Sequence, residues 1–150
     1  MRDAFGGIVN LAMIVVFLVL VSGYLAFNVN YTKAFRVKNY VITSLEQYEG
    51  NCQQESACAN KISNYIKSIG YNAPDLKVGG YTCVKEGYCY QKFPATNETG
   101  AYSEDSKKVY FRVVTQINID IPIINKILPT MKIFQVSGAT KLITPSNEID

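Results

Sequence analysis

The sequence predicts an α+β fold: a long N-terminal helix with a transmembrane half and an amphipathic half, a short second helix, a small disulfide-braced hairpin and a C-terminal antiparallel β-hairpin. Three observations predict it. Residues 8–27 are an uncharged apolar run, the four cysteines form two C-x5-C pairs, and residues 109–121 alternate between apolar and polar side chains. The expected segments are a short N-terminal head (1–7), a transmembrane helix (8–27), its amphipathic continuation (28–50) and an exported α+β domain (51–150).

The apolar run, IVNLAMIVVFLVLVSGYLAF, contains no charged side chain. About 20 apolar residues in helical conformation cross the ~30 Å hydrocarbon core of a bilayer, so the run predicts one transmembrane helix. A cleaved signal peptide is the alternative, because Arg2 precedes the run. The run exceeds the usual signal core of about 7 to 15 residues and no Ala-x-Ala-like site follows it, which favours an anchor.

Four side chains in this helix are candidates for packing against other membrane helices. Small residues let helices approach closely in lipid, and a polar amide can add a hydrogen bond between helices. Asn10 could serve in that way or simply lie near the membrane interface. The candidates are Asn10, Ser22, Gly23 and Ala26.

The orientation of the helix is predicted by two opposing signals. Lys33, Arg36 and Lys38 follow the apolar run, and the positive-inside rule would place them in the cytoplasm. All four cysteines lie on the same side of the run, and an even set of cysteines suits an oxidising exterior. The basic residues stand beyond the membrane edge on a helix that continues outward, so we give the cysteines more weight. We expect a single-pass protein of the cell membrane with a cytoplasmic N-terminus and an extracellular C-terminal domain.

The helical pattern continues beyond the membrane run without an intervening proline before Gly50. Apolar residues recur there at spacings of three and four, which places them on one stripe of a helix. The stripe consists of Ala34, Val37, Val41, Leu45 and Tyr48. One long helix is therefore expected, and its second half should lie on a soluble domain.

A second helix is predicted over residues 55–69, followed by Gly70 in the position of a C-terminal cap. Its apolar residues share one face at helical spacing. They are Cys58, Ile62, Tyr65, Ile66 and Ile69.

The cysteine pairs are Cys52 with Cys58 and Cys83 with Cys89. Structural zinc sites favour cysteines two to four residues apart, so the wider C-x5-C spacing favours disulfides over zinc. Four cysteines allow three connectivities. Local pairing is favoured because the second pair has one cysteine on each arm of a tight hairpin, although crossed pairings remain open.

Strands are expected in the last third of the chain. Residues 81–93 predict a hairpin that turns at Glu86 and Gly87, and residues 94–107 predict a polar loop. Residues 109–121 follow a period of two and predict a long strand. Its partner is expected at 131–143, with a bulge or twist between Ile133 and Phe134 where the apolar phase changes, and a frayed tail follows.

The connection between these two strands is unusually apolar for a turn. Full burial of a large apolar side chain stabilises a protein by about 1.5 to 3 kcal/mol, so we expect these side chains to be covered by another surface. The apolar side chains of this connection either pack beneath their own sheet or form a partner surface, for another protein or for the outer membrane leaflet. The residues are Ile121, Ile123, Ile124, Ile127 and Leu128.

The composition argues against catalysis. The chain has no histidine, which removes the commonest general base and metal ligand, and it has no phosphate-binding glycine loop. No catalytic residue, metal site or cofactor is predicted, and no small-molecule substrate. The net charge of +3 is too small to indicate nucleic-acid binding. Tyr81, Tyr88 and Tyr90 could form an adhesive or sugar-binding face, but packing of the hairpin onto the long helix is favoured.

The order of elements resembles a type IV pilin-like membrane subunit, and more narrowly a TadE-like pseudopilin of the tight-adherence (Tad) pilus systems. The narrower resemblance rests on residues 108–143, KVYFRVVTQINIDIPIINKILPTMKIFQVSGATKLI. There an alternating strand runs into an apolar segment with prolines and returns through a strand that ends in Ser137-Gly138-Ala139-Thr140-Lys141. The resemblance covers about half the chain. It implies membrane lipid, other pilin-like subunits and a pilus assembly platform as partners.

Gly6 and Gly7 are the possible processing site that this resemblance implies. Cleavage after Gly7 would start the mature chain at Ile8 and put Ala12 at the fifth position, where pilin-like proteins carry a glutamate. No acidic residue occurs between Asp3 and Glu46. The departure favours a minor, tip or assembly subunit, or an uncleaved anchor, over a major filament subunit. The alternative interpretation of the two glycines is a loose helix start beside the membrane.

The expected function is that of a minor pseudopilin, a membrane-anchored structural or assembly subunit of an adhesion or secretion apparatus resembling the Tad or type IV pilus. The alternative is a single-pass, membrane-anchored extracellular binding module, such as an adhesin or receptor-like domain unrelated to a filament.

Overall fold

A computed structural model gives the structure of the protein and describes residues 2–53, 56–73, 76–95, 108–117 and 134–144. The elements are α1 (Arg2–Gln47), α2 (Ala57–Ile69), β1 (Thr82–Val84), β2 (Tyr88–Pro94), β3 (Val109–Gln116) and β4 (Gln135–Ala139). The four strands form one antiparallel sheet, so the predicted α+β class is confirmed. Most of the predicted loop at 94–107 and all of the tail after Thr144 lie outside the described residues.

Helix α1 is unbroken over 46 residues, as the sequence predicted. Its second half buries the expected stripe: Ala34, Val37 and Val41 are 0% exposed and Leu45 is 1% exposed. The helix ends where Gly50, at φ 81°, donates its N–H to the carbonyl of Leu45 over 2.8 Å. A side chain on Gly50 would collide with the Phe111 ring, so this turn also brings the chain close to the sheet.

Helix α2 begins two residues later than predicted, because Ser56 is its N-cap and accepts a hydrogen bond from the N–H of Ala59 over 3.2 Å. Gly70 takes the left-handed conformation expected of a C-terminal cap. The buried face carries Cys58, Ile62 and Ile66 and packs toward α1. Tyr65 stacks on Tyr40 of α1 with ring centroids 3.9 Å apart.

The sheet has the order β1-β2-β3-β4. Its two hairpins, which the sequence predicted separately, join through the pairing of β2 with β3, from Tyr88 opposite Thr115 to Pro94 opposite Val109. The turn of the first hairpin holds Glu86 and Gly87 as predicted. One face of the sheet packs against the second half of α1 and forms the core between them.

Strand β3 shows the predicted period of two on the core face. The buried residues there are Val109, Phe111, Val113 and Thr115, followed by Ile117. The strand covers Val109–Gln116 and β4 covers Gln135–Ala139, whereas residues 118–133 of the predicted hairpin lie outside the described part of the chain. Beyond the strand ends, the N–H of Ile117 donates to the carbonyl of Phe134 over 2.7 Å.

A bulge lies just beyond the end of β4. Arg112 pairs with Ala139, and Val109 pairs with Ile143. Ile143 lies four residues after Ala139, whereas Val109 lies three residues before Arg112, so the last segment carries one extra residue. The extra residue follows β4, where Thr140 uses both its N–H and its hydroxyl on the backbone of Phe111. The predicted position between Ile133 and Phe134 includes a residue outside the described part of the chain.

The opposite face of the sheet is partly covered as well, which the alternation of β3 did not predict. Val114 is 5% exposed, and its partner Cys89 is 0% exposed. Leu76, from the segment that precedes β1, is 4% exposed, and its carbonyl lies 3.9 Å from the sulfur of Cys89. The chain before the first hairpin thus closes a small second cluster over the Cys83–Cys89 bridge.

Candidate membrane and assembly surfaces

The first half of α1 carries a continuous apolar surface that no other described element covers. Its large apolar side chains between Ile8 and Leu20 are 45% to 70% exposed. Within the described residues, one helix is long and apolar enough to cross a membrane, and this is that helix. Complete burial begins at Ala34, after partial burial at several positions from Gly23 to Lys33, so α1 divides into a bare half before this region and a docked half from Ala34 onward.

Gly6 and Gly7 lie inside α1, which begins at Arg2. No atom lies within 4 Å of a Cβ built on either glycine, so neither is required by close packing in this chain. Both are exposed. The peptide bond after Gly7 therefore lies within a helical segment whose residues are exposed.

The predicted helix-packing residues fall into two groups. The first group lies within one turn and a third of α1 and comprises Ser22, Gly23 and Ala26. The second is Asn10 alone, which lies about 18 Å nearer the N-terminus along the helix axis. The hydroxyl of Ser22 donates to the carbonyl of Leu18 over 2.7 Å, so its one donor hydrogen is used within the helix. What remains there is a small, shallow patch suited to close approach of a second helix.

An aromatic column, made of Phe27, Tyr31 and Phe35, follows the end of the apolar run. Successive rings stack with centroids 6.2 and 6.3 Å apart. The ammonium of Lys38 lies 4.1 Å from the Phe35 ring centroid and caps the column through a cation–π contact. The spacing of four residues between these aromatics was a signal in the sequence, and sequence reasoning missed it.

The predicted apolar partner surface, Ile121, Ile123, Ile124, Ile127 and Leu128, lies outside the described residues. The two ends from which it departs are described. Ile117 and Phe134 are joined by a backbone hydrogen bond, and the Phe134 ring meets Phe27 edge-on with centroids 5.9 Å apart. The ends of this connection are therefore held beside the last residue of the apolar run.

The motif that carried the family resemblance, Ser137 to Lys141, docks the last strand on α1. A Cβ on Gly138 would stand 2.9 Å from Ile42 and 3.1 Å from the stem of Lys38, so a glycine lets the strand lie close to the helix. The N–H of Lys141 donates to the carboxylate of Glu46 over 2.8 Å. Together with the Thr140 bulge, these contacts place the end of the sheet along the docked half of α1.

A shallow groove of about 450 Å³ lies where the end of α2 meets α1. Leu25, Val29 and Ile69 line one part of it, and Lys33 and Arg36 line another. The ammonium of Lys33 donates to the carbonyl of Gly70 over 3.2 Å. Sequence reasoning did not find this groove, because it depends on a contact between residues 37 positions apart.

The cysteines pair locally, Cys52 with Cys58 and Cys83 with Cys89. The first bridge ties the connection after α1 to the first turn of α2, and the second joins β1 to β2 at directly paired positions. No cysteine remains as a zinc ligand. Across the described ranges, no group of three or more His, Cys, Asp or Glu side chains could hold a metal ion.

Tyr71 links three parts of the domain through its hydroxyl. The oxygen lies 2.9 Å from the carbonyl of Gly87 and 2.8 Å from that of Gln116, and it accepts the N–H of Gln116 at 3.0 Å. Burial raises the pKa of Tyr71 to about 12, although the hydrogen bond with Gln116 lowers it somewhat. The role of Tyr71 is structural, since its hydroxyl forms hydrogen bonds with backbone groups.

The hairpin tyrosines face inward. Tyr88 is 3% exposed, and Tyr90 packs against the core with its ring 6.4 Å from that of Phe111. Burial raises the pKa of both phenols, and for Tyr88 the neighbouring Tyr90 and Glu86 raise it further. These positions favour packing of the hairpin over an adhesive face built from Tyr88 and Tyr90.

No family model, curated protein or solved structure matches this chain.

Proposed function

We propose that this chain is a membrane-anchored structural or assembly subunit of an adhesion or secretion apparatus resembling the Tad or type IV pilus, acting as a minor pseudopilin. Its N-terminus would face the cytoplasm, and its α+β domain would lie outside the membrane. It would contact other pilin-like subunits through the bare half of α1 and display the sheet above them.

The observation that carries the proposal is the division of one continuous helix. No other described element covers the first half of α1, and the second half lies on one face of a four-stranded antiparallel sheet. A rigid connection of this kind transmits the position of the membrane helix directly to the exported domain. Such a connection suits a subunit that assembles by lateral helix packing, because the sheet is placed wherever the helices pack.

Two further features support the proposal. Both disulfides lie in the domain after α1, and disulfides persist in oxidising compartments, which supports an exterior location. Residues of the Ser137-to-Lys141 motif contact α1 and the neighbouring strand, so the residues behind the family resemblance help to pack the sheet on the helix. The missing glutamate near the start of the apolar run supports a minor subunit over a major one.

The test is site-specific photo-crosslinking in the native membrane. A photoreactive residue at Val16, which is 57% exposed on the bare half of α1, should yield crosslinks to other pilin-like subunits or to pilus platform proteins. The matched control is the same residue at Lys77, which is exposed on the domain. Identical crosslinked partners from both positions, or a monomer crosslinked to lipid alone, would contradict assembly through this helix.

Intact mass from the same membranes tests processing and export together. Loss of residues 1–7 would indicate cleavage after Gly7, and a rise of about two mass units per bridge on reduction would indicate an oxidised exterior domain. An uncleaved chain with free thiols would contradict both the pilus proposal and the orientation.

The second candidate function is that of an extracellular binding module, and one observation favours it. Phe93 stacks on Tyr110 with ring centroids 5.4 Å apart, and the Arg112 guanidinium lies 5.5 Å from the Phe93 ring. These side chains lie on the sheet face away from α1, since each alternates with core-facing neighbours. Retention of a soluble ligand by a monomer, lost on Tyr110→Ala, would favour this function over the pilus.

A further inference from the structure

The groove between α1 and the end of α2 carries apolar side chains toward the membrane end of α1 and two cations further along it, with the neutral Asn28 and Thr32 also in its lining. Leu25 and Val29 are one turn apart on α1, and Ile69 of α2 faces them across the groove. Lys33 and Arg36 continue the same face of α1 by further turns. None of the described side chains that line the groove is acidic, and the sequence has no Asp or Glu between Asp3 and Glu46.

The groove lies at the height of a lipid headgroup when the apolar run spans the bilayer. Lys33 and Arg36 follow Phe27, the end of the run, by about 9 and about 14 Å along the helix axis. The headgroup layer extends about 5 to 8 Å beyond the hydrocarbon core. Side chains on a helix lean toward its N-terminus, which is the membrane end here, so both cations reach back toward that layer.

The two cations differ in how they are held. The carbonyl of Gly70 fixes the Lys33 ammonium and leaves two of its N–H groups for a ligand. The Arg36 guanidinium makes no hydrogen bond or ion pair with the described part of the protein, and its planar fork suits two oxygens of a phosphate. A zwitterionic lipid would bring an ammonium group that finds no carboxylate in the groove. The charge of the site therefore complements an anionic lipid.

We propose that this groove binds an anionic phospholipid from the leaflet on the side of the C-terminal domain. Arg36 and Lys33 hold the phosphate, and the acyl chains pass along Leu25, Val29 and Ile69 toward the bilayer. The inference rests on the membrane anchor in the proposed function but not on the pilus. A lipid held there would fix the depth of the helix and the tilt of α2 above the membrane.

The test uses the full chain in nanodiscs of equal parts phosphatidylcholine and phosphatidylglycerol. The lipids that remain with the protein after extraction into mild detergent are quantified by native mass spectrometry. Phosphatidylglycerol should be enriched over phosphatidylcholine relative to the bilayer. Arg36→Gln should reduce the enrichment about fivefold, the attraction that one basic residue has for an anionic surface, and adding Lys33→Gln should reduce it further.

The matched control is Lys77→Gln, which removes the same charge from an exposed position outside the groove and should leave the enrichment unchanged. Arg36→Gln removes no contact within the described chain, so its circular dichroism and its disulfides should match those of the parent.

Equal retention of both lipids, or an unchanged preference in Arg36→Gln, would overturn the inference. Displacement of the lipid preference by inorganic phosphate would also overturn it, in favour of a soluble anion. A chain that does not enter the bilayer would overturn the membrane anchor as well, whereas an embedded chain without preference would overturn the lipid site alone.

Discussion

The hydroxyl of Thr115 donates a hydrogen bond of 3.0 Å to the backbone carbonyl of Ala34, 81 residues away. Ala34 is the first buried residue of α1 along the chain from Gly6, and Thr115 is 0% exposed within β3. The bond joins the end of the inner strand β3 to the point where the helix becomes fully buried. It therefore defines the height at which the domain begins above the apolar run.

Replacing Thr115 by valine tests the importance of this bond. The two side chains have nearly the same shape, so Thr115→Val should lower the free energy of unfolding by about 1 kcal/mol through loss of the hydrogen bond. Thr115→Ser is the control, because it keeps the hydroxyl and removes a methyl group. The measurement is chemical unfolding of the full chain in neutral detergent, followed by near-ultraviolet circular dichroism. A valine variant as stable as the parent would show that the bond contributes nothing.

Gly87 is the position where an alanine should be least tolerated. Its φ is 90°, and an added Cβ would lie 2.6 Å from the carbonyl oxygen of Ala73, which is backbone and cannot move aside. Gly87→Ala should lower the free energy of unfolding by about 2 kcal/mol or more. Gly79→Ala is the matched control, since nothing lies within 4 Å of its Cβ and its φ is ordinary, and it should change stability by less than about 0.5 kcal/mol. Equal effects of the two changes would contradict the turn geometry.

Removal of the Tyr71 hydroxyl should weaken the domain at neutral pH. Tyr71→Phe leaves the carbonyl of Gly87 and the N–H of Gln116 without their phenol partner, at a cost of about 1 to 3 kcal/mol. The same unfolding measurement at pH 7 gives this value. A neutral result would mean that water replaces the phenol in both contacts.

Tyr71 should also make stability depend on alkaline pH. Its folded pKa, about 12, lies above the ordinary value of 10.0, so the folded state keeps the proton longer than the unfolded chain. The contribution is therefore full below pH 10 and is lost as the pH rises toward 12, with a slope of at most about 1.4 kcal/mol per pH unit for one group. Unfolding measured between pH 9 and about 11 should show a shallower decline in Tyr71→Phe than in the parent. Tyr88 and Tyr90 supply the decline that remains, and parallel curves would contradict the assignment.

The two disulfides should stabilise the domain by similar amounts. Each has a sequence separation of 6, and closing so short a loop contributes about 2 kcal/mol in the chain-entropy description. Replacing Cys52 and Cys58 by alanine, or Cys83 and Cys89 by alanine, should each lower the unfolding midpoint in denaturant. Reduction of the parent should lower it by more than either pair alone. An unchanged midpoint for one pair would mean that this bridge does not stabilise the folded domain.

Sequence patterns predicted the elements well because those patterns are local. An uncharged run, a stripe at helical spacing and a strict alternation each arise from the geometry of a single element, and α1, α2 and β3 follow them. Contacts between elements were harder to predict from the sequence. The groove beside Arg36 and the closing of Leu76 over Cys89 both bring together segments that no local period connects.

The sequence by itself determined the division of α1 into an apolar and an amphipathic half, the inward face of β3 and the local pairing that the cysteines favoured. Tertiary structure alone decided that the two hairpins form one sheet, that the extra residue falls between Ala139 and Ile143, and that Gly138 lies against α1. The physical reason is that periodicity reports which side of an element is buried. Register and close approach depend instead on which distant backbone groups find hydrogen-bond partners and which side chains leave room for them.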